Sequence, residues 1–273
     1  MVASGVDPDA PINVIDVPDG LDAPLMTWTV PVRVPELSTS GDDFGPSLFA
    51  NQLRIYVASN MVASNMVGGF RIYYGSRGST TQPFSAITPA SELDLAGDEY
   101  DPEVSGTGLE LHYAVDAAPR GLRQTTRMAT GVPWTVPPTV VAGLTDRQGP
   151  SLAVSDKRMV VSLRGIGGIE EYGRATTTDT WALLRTHATL DKLTFPGLSA
   201  DGLEIYGTHS GTKHLYRATR ATLDDPFSVP QQVLFGGPID NREIYDAELT
   251  IDGRTMYLAI KDDTGVDIYV TTR

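Results

Sequence analysis

Leu198-Ser199-Ala200-Asp201-Gly202-Leu203-Glu204-Ile205-Tyr206 is two short apolar runs split by an Asp-Gly pair. Asp-Gly between apolar runs is a strong β-hairpin signal, because both residues tolerate the backbone that a tight turn needs. Leu249-Thr250-Ile251-Asp252-Gly253-Arg254-Thr255-Met256-Tyr257 repeats the arrangement. Five segments align without a gap on Pro46, Pro102, Pro150, Pro196 and Ala247. Two residues on stand Leu48, Val104, Leu152, Leu198 and Leu249. Nine residues on stand Ile55, Leu111, Met159, Ile205 and Met256, followed by Tyr56, His112, Val160, Tyr206 and Tyr257. Each segment therefore begins with two antiparallel strands.

A third strand follows, clearest in Leu215 to Arg220, with counterparts in Ile72 to Arg77 and Ile268 to Arg273. Leu122 to Arg127 and Tyr172 to Thr177 are weaker copies, and the third segment reads as lacking the closing Arg. Pro83-Phe84, Pro133-Trp134 and Pro226-Phe227 each open a fourth strand, and the third segment places Trp181 there. A period of about fifty residues with four strands per repeat specifies an all-β, five-bladed β-propeller with four antiparallel strands per blade. The fifth segment stops at Arg273 before its fourth strand. Trp28-Thr29-Val30-Pro31 repeats Trp134-Thr135-Val136-Pro137 letter for letter, so residues 26 to 34 are expected to supply that strand and close the last blade.

Residues 1–23 form an expected flexible acidic tail, rich in Asp and Pro, and residues 24–273 a single propeller domain. Val57 to Met61 is duplicated at once by Val62 to Met66, and the spacing from Pro46 to Pro102 exceeds the others. The duplication is expected to lengthen the loop between the second and third strands of the first blade.

Leu198 to Tyr206 with His214 to Arg220, and Leu249 to Tyr257, resemble the TolB-type, WD-like propeller repeat. The resemblance spans about residues 24 to 273. It implies a periplasmic, cell-surface or secreted bacterial protein that binds proteins or other ligands across the propeller face.

Composition narrows the function further. The net charge of −13 disfavours nucleic acid and anionic membrane surfaces as partners. With no cysteine there is no disulfide framework and no thiolate chemistry. The four histidines, His112, His187, His209 and His214, lack zinc spacing, and His112 takes the place of a core Tyr. Gly165 to Gly168 has neither the Walker Lys nor dinucleotide spacing.

Four residues before each anchor lie Asp42, Asp98, Asp146, Lys192 and Glu243. They are the candidate ligand-binding residues at the mouth of the central channel, where a divalent cation or a basic group would fit; no other cofactor is expected. The reading these features favour is a non-catalytic binding or scaffolding propeller for a protein or small polar ligand. A carboxylate-dependent glycosidase in the channel is the alternative, with Asp101, Glu103, Asp246 and Glu248 as raw material. A lectin is a third reading, although the loops do not repeat one polar pocket per blade. Trp28, Trp134 and Trp181 all sit on outer-strand positions and offer no sugar-stacking set.

Overall fold

In the computed structural model, which describes residues 27–61, 69–153 and 155–273, the chain enters at strand β1 (Val32–Arg33). Blade 1 is β2 (Asp43–Leu48), β3 (Arg54–Ser59), β4 (Arg71–Ser76) and β5 (Thr88–Pro89). Blade 2 is β6 (Glu99–Val104), β7 (Glu110–Val115), β8 (Gly121–Thr126) and β9 (Thr139–Thr145). Blade 3 is β10 (Arg147–Ala153), β11 (Arg158–Leu163), β12 (Ile169–Gly173) and β13 (Ala182–His187). Blade 4 is β14 (Leu193–Leu198), β15 (Glu204–His209), β16 (Leu215–Thr219) and β17 (Gln231–Gln232). Blade 5 is β18 (Ile244–Leu249), β19 (Thr255–Lys261) and β20 (Val266–Thr272), completed by β1. Every pairing is antiparallel, and the propeller is the one the repeats specify. The second copy of the duplicated segment and the acidic tail lie outside the described residues.

Both faces of each blade are apolar because each meets a neighbour. The buried side chains accordingly fall into five clusters, one per joint. Tyr56 and Tyr113 fill the joint of blades 1 and 2; Tyr206, Leu258 and Trp28 fill that of blades 4 and 5.

One contact repeats in all five blades. An Arg just past the third strand lies over an aromatic ring just ahead of the fourth. The pairs are Arg77 over Phe84 (4.3 Å), Arg127 over Trp134 (4.1 Å), Arg174 over Trp181 (4.1 Å), Arg220 over Phe227 (4.4 Å) and Arg273 over Trp28 (4.6 Å). Each Arg Nε also donates to a carbonyl of the hairpin between the first two strands: Gln52, Gly108, Asp156, Gly202 and Gly253. Such a stacked cation contributes about 0.5–2 kcal/mol, more when desolvated. Blade 3 therefore does have its closing Arg. It is Arg174, seven residues before Trp181, the same interval as from Arg127 to Trp134.

The ring closes as the sequence implies. Val32 pairs with Val270 and Arg33 with Tyr269. Thr29 N donates to Thr272 O, and Val34 N to Ile268 O. Trp28 is 6% exposed and its Nε1 donates to Tyr206 Oη in blade 4. The closing residue thus binds both sides of the last joint. Trp28→Ala removes a large buried ring and is expected to cost about 3–5 kcal/mol, read by urea unfolding. Trp181→Ala, at a half-buried ring inside a continuous blade, is expected to cost less; equal costs would mean that closure does not concentrate on Trp28.

Candidate active site

The innermost strands line the channel, and each slips register with its second strand at mid-length. The slips fall between Phe44 and Ser47, Tyr100 and Glu103, Gln148 and Ser151, Thr194 and Gly197, and Ile244 and Asp246. Pro46, Pro102, Pro150 and Pro196 occupy four of them. Proline has no N–H for the ladder, and a bulge accommodates it. The preceding residue takes a positive φ: 56° at Gly45, 50° at Asp101, 56° at Gly149 and 49° at Phe195. A Cβ on Gly45 would come within 2.9 Å of Asp101 Cα, so blade 1 needs glycine there. Asp101 holds the same backbone with a side chain, at a cost in strain.

The residues just before and just after each anchor supply the channel wall. After the anchor, four blades make one contact: a side-chain oxygen accepts the N–H of the next blade's inner strand. Leu48 N donates to Glu248 Oε1 (3.2 Å), Val104 N to Ser47 Oγ (2.9 Å), Leu152 N to Glu103 Oε1 (2.5 Å) and Leu198 N to Ser151 Oγ (3.0 Å). The fifth place is Gly197, where a Cβ would stand 1.9 Å from Ala247 O. Before the anchor, Asp246 Oδ2 accepts Gly45 N (3.1 Å) and Asp101 Oδ2 accepts Gly149 N (2.9 Å).

Blades 2 and 5 thus place two aspartates and two glutamates around the channel. With Ser151 and Phe195 they line a cavity of about 20 Å³, room for one water molecule. Burial pushes the Asp101 carboxyl up to about 6 and the Glu248 carboxyl up to about 8. Burial, then the charge of Glu248, holds Glu103 well above the usual carboxylate range; burial, then the charge of Asp101, does so for Asp246. The Gly149 N–H and the Arg164 charge favour ionised Asp101. Burial raises both members of the Asp101–Asp246 pair, and the charge of Asp101 adds to the rise at Asp246, so the pair resists losing its second proton. Two groups with separated protonation states are what acid–base chemistry needs.

Asp101 and Asp246 precede Glu103 and Glu248 along their strands, so they stand nearer the end where the inner strands begin. At that end a strip of half-buried rings crosses blades 5, 1 and 2. Tyr245 meets Phe44 (5.3 Å), Phe44 meets Phe70 (5.5 Å), and Phe70 meets Tyr100 (4.9 Å). The sequence reading looked for tryptophans and missed this strip. Its signal was an aromatic two residues before the anchor in three blades.

The five candidate mouth residues are each held separately. Asp98 Oδ2 accepts the Tyr100 hydroxyl (2.8 Å), and Glu243 accepts the Tyr245 hydroxyl. Asp42 Oδ1 accepts Val266 N (2.9 Å), Asp146 accepts Arg120 Nε (2.7 Å), and Lys192 lies 3.8 Å from Asp191. No hydrogen bond or ion pair joins one of the five to another. Among the described residues no three His, Asp or Glu side chains converge in a way that would hold a metal ion. His112 is a buried core residue, as expected from its place in the repeat; its Nε2 accepts Trp181 Nε1 (3.4 Å).

No family model and no curated protein matches this chain. Solved structures do match in fold. The catalytic domain of the GH62 α-L-arabinofuranosidase from Coprinopsis cinerea overlays with a TM-score of 0.59 at 11% identity, covering 90% of this chain and 96% of that one. A GH43_1 enzyme from Xanthomonas citri overlays with a TM-score of 0.54 at 13% identity, covering 89% of each. A putative TolB from Agrobacterium tumefaciens gives 0.51 at 11% identity, covering 86% and 79%. At these identities the likeness is one of fold. It includes the TolB-type ring that the repeats resemble, and it extends to glycoside hydrolases. The expectation of a non-catalytic scaffold is corrected accordingly: glycoside hydrolases share the ring, and the carboxylates that the sequence offered as scattered raw material meet in its channel.

Carboxyls raised by folding make stability pH-dependent with a definite sign. Their folded-state values exceed the unfolded ones, so their contribution is complete at low pH and is lost as pH rises through the folded value. His112, lowered to about 3 by burial, acts oppositely, but only below its ordinary value of 6.5. From pH 6.5 to 8 the protein is therefore expected to lose stability. Glu248→Gln keeps an acceptor for Leu48 N and is expected to reduce that loss by about 1–2 kcal/mol. Urea unfolding at the two pH values checks it, and an unchanged slope would place Glu248 in water.

Proposed function

We propose that this chain is a carboxylate-dependent glycoside hydrolase whose acid–base pair is Asp246 and Asp101. The observation that carries the reading is the pair of buried carboxyls, Asp101 and Asp246, lining one water-sized cavity in the channel. A glycosidic bond is cleaved by an acid that protonates the leaving oxygen and a carboxylate that activates water or attacks carbon. Asp246 supplies the proton, and Asp101 accepts one from water. The cavity between them admits water and not a sugar ring, so the glycosidic bond would be presented at the mouth, over Tyr245, Phe44, Phe70 and Tyr100. Aromatic faces suit the apolar faces of sugar rings. Asp98 and Glu243 keep their place in this reading as the carboxylates that orient Tyr100 and Tyr245. Asp42 fastens blade 1 to blade 5 beside them. Glu103 and Glu248 join the inner strands, and burial raises both carboxyls. A periplasmic or secreted setting, where polysaccharide fragments are met, belongs to the same reading.

The test is hydrolysis of a panel of nitrophenyl glycosides, with the α-L-arabinofuranoside first. Turnover of at least one is expected, with a bell-shaped pH profile whose acidic limb lies near pH 6. Asp101→Asn and Asp246→Asn should each lower kcat about a hundredfold or more while the folded protein persists. An inert panel, or turnover that survives both substitutions, would overturn the assignment.

A further inference from the structure

At the opposite end of the ring three of the five joints carry a second repeated contact, and the joint of blades 1 and 2 is one of the two that lack it. The stacked Arg of each of the last three blades grips a carboxylate of the blade before it. Arg174 of blade 3 binds Glu110 through Nη1 (2.9 Å) and Nη2 (2.6 Å). Arg220 of blade 4 binds Glu171 through Nη1 (2.8 Å) and Nη2 (3.0 Å). Arg273 of blade 5 binds Glu204 through Nη1 (3.1 Å) and Nη2 (2.8 Å). These are forked, charge-assisted pairs. Glu110 and Glu204 open the second strand of their blades. In blade 3 that place holds Arg158, and the carboxylate comes instead from Glu171, opposite Val160 on the next strand.

Blade 1 has neither. The place of Glu110 holds Arg54, and the place of Glu171, opposite Tyr56, holds Tyr74. Arg127 of blade 2 still stacks on Trp134 and donates Nε to Gly108 O. It is 7% exposed, and among the described residues its Nη2 has no hydrogen-bond partner. Where three joints hold a carboxylate, this one holds a cavity of about 300 Å³, lined by Arg54, Arg127, Tyr56, Tyr74, Glu92 and Pro133 among others. Arg54 lies over the Tyr74 ring at 4.9 Å. Exposed Glu92 stands on the wall but makes no ion pair with either Arg.

We infer that this cavity between blades 1 and 2 binds the carboxylate of a compact organic acid, gripped by Arg127 and Arg54 as Arg220 and Arg158 grip Glu171. Three observations carry the inference. The guanidinium is buried with an unused donor, which is costly to leave unmade. Two like charges face one cavity. The chain's own Glu110, Glu171 and Glu204 show which group the socket accepts. The volume exceeds a bare carboxylate and leaves room for a ring beside Tyr74. Sugar acids and aromatic acids both meet that description. The site lies at the far end of the ring from the carboxylate channel and does not depend on the activity proposed for it.

The experiment is calorimetric titration of the full chain with galacturonate and with benzoate, each beside its neutral counterpart, galactose or benzamide. Saturable binding of one acid is expected, with the neutral counterpart at least about tenfold weaker. Arg54→Gln should weaken the acid about tenfold or more. Arg54→Glu recreates the pair of the other joints; it should abolish binding and raise the melting temperature. Binding that survives Arg54→Glu, or binding by neither acid, would overturn the inference. So would binding that appears only in Glu92→Gln, because Glu92 would then be the native occupant.

Discussion

A guanidinium held between an aromatic face and a hairpin carbonyl is the contact on which this ring depends. In each blade the Arg binds the outer strand by stacking and the inner hairpin by its Nε. Three times it also reaches the previous blade through a buried carboxylate. A blade alone has two apolar faces and cannot bury either. Neighbours bury them without direction, since apolar contact tolerates sliding. The Arg supplies the direction, because a forked pair is satisfied in one geometry only. Such buried pairs are not a free source of stability: charge desolvation offsets much of their attraction, and their loss is costly chiefly because a lone charge stays behind. Their contribution here is to fix how one blade sits on the next.

Closure follows from the same contact. The ring beneath Arg273 is Trp28, from the far end of the sequence. The strand it brings is short, a two-residue ladder flanked by single hydrogen bonds. Closure is thus concentrated in a side chain more than in a sheet edge. That explains why a four-letter identity, Trp-Thr-Val-Pro, was enough to reveal it in the sequence: the letters encode the clamp and the strand entry together.

The fold was legible because period, turn residues and clamp are local in sequence. The register of blade 3 was not, because its third strand starts at Ile169, three residues earlier than the Tyr172 start the sequence suggests, although the seven-residue interval from Arg174 to Trp181 was there to count. The channel chemistry was half legible. Asp101, Glu103, Asp246 and Glu248 are visible as acids beside the anchors, but 34 acidic residues make any acid unremarkable in a string. Their convergence needs the ring to be closed, since it joins blades 2 and 5, distant in sequence and separated by a single blade in space. The rim residues were chosen by position four before the anchor. Side chains there turn to local partners, Tyr100 for Asp98 and Tyr245 for Glu243, while the positions flanking the bulge face the channel. A register slip at each anchor reverses a simple alternation of faces, and alternation was the only guide the sequence offered.

Departures from the repeat gather on blade 1 and its two joints, and this gathering has a physical logic. Its neighbours, blades 5 and 2, carry the channel acids where blade 1 has Gly45 and Ser47. Small residues between two acid-bearing blades let the carboxyls approach across the channel; a third acid between them would add repulsion and hydration. At the other end blade 1 replaces the clamp's Glu with Arg54, giving up an internal ion pair. The ring tolerates joints without the fork because the three forked joints fix how blades 2 to 5 sit on one another. The rigidity of the repeats permits the blades flanking blade 1 to hold groups in unfavourable surroundings: raised carboxyls in the channel, and at the other end a guanidinium with one Nη unused. Blades 3 and 4 are joined by both contacts, Leu198 N to Ser151 and the Arg220–Glu171 fork, although blade 3 draws its carboxylate from the third strand and not the second.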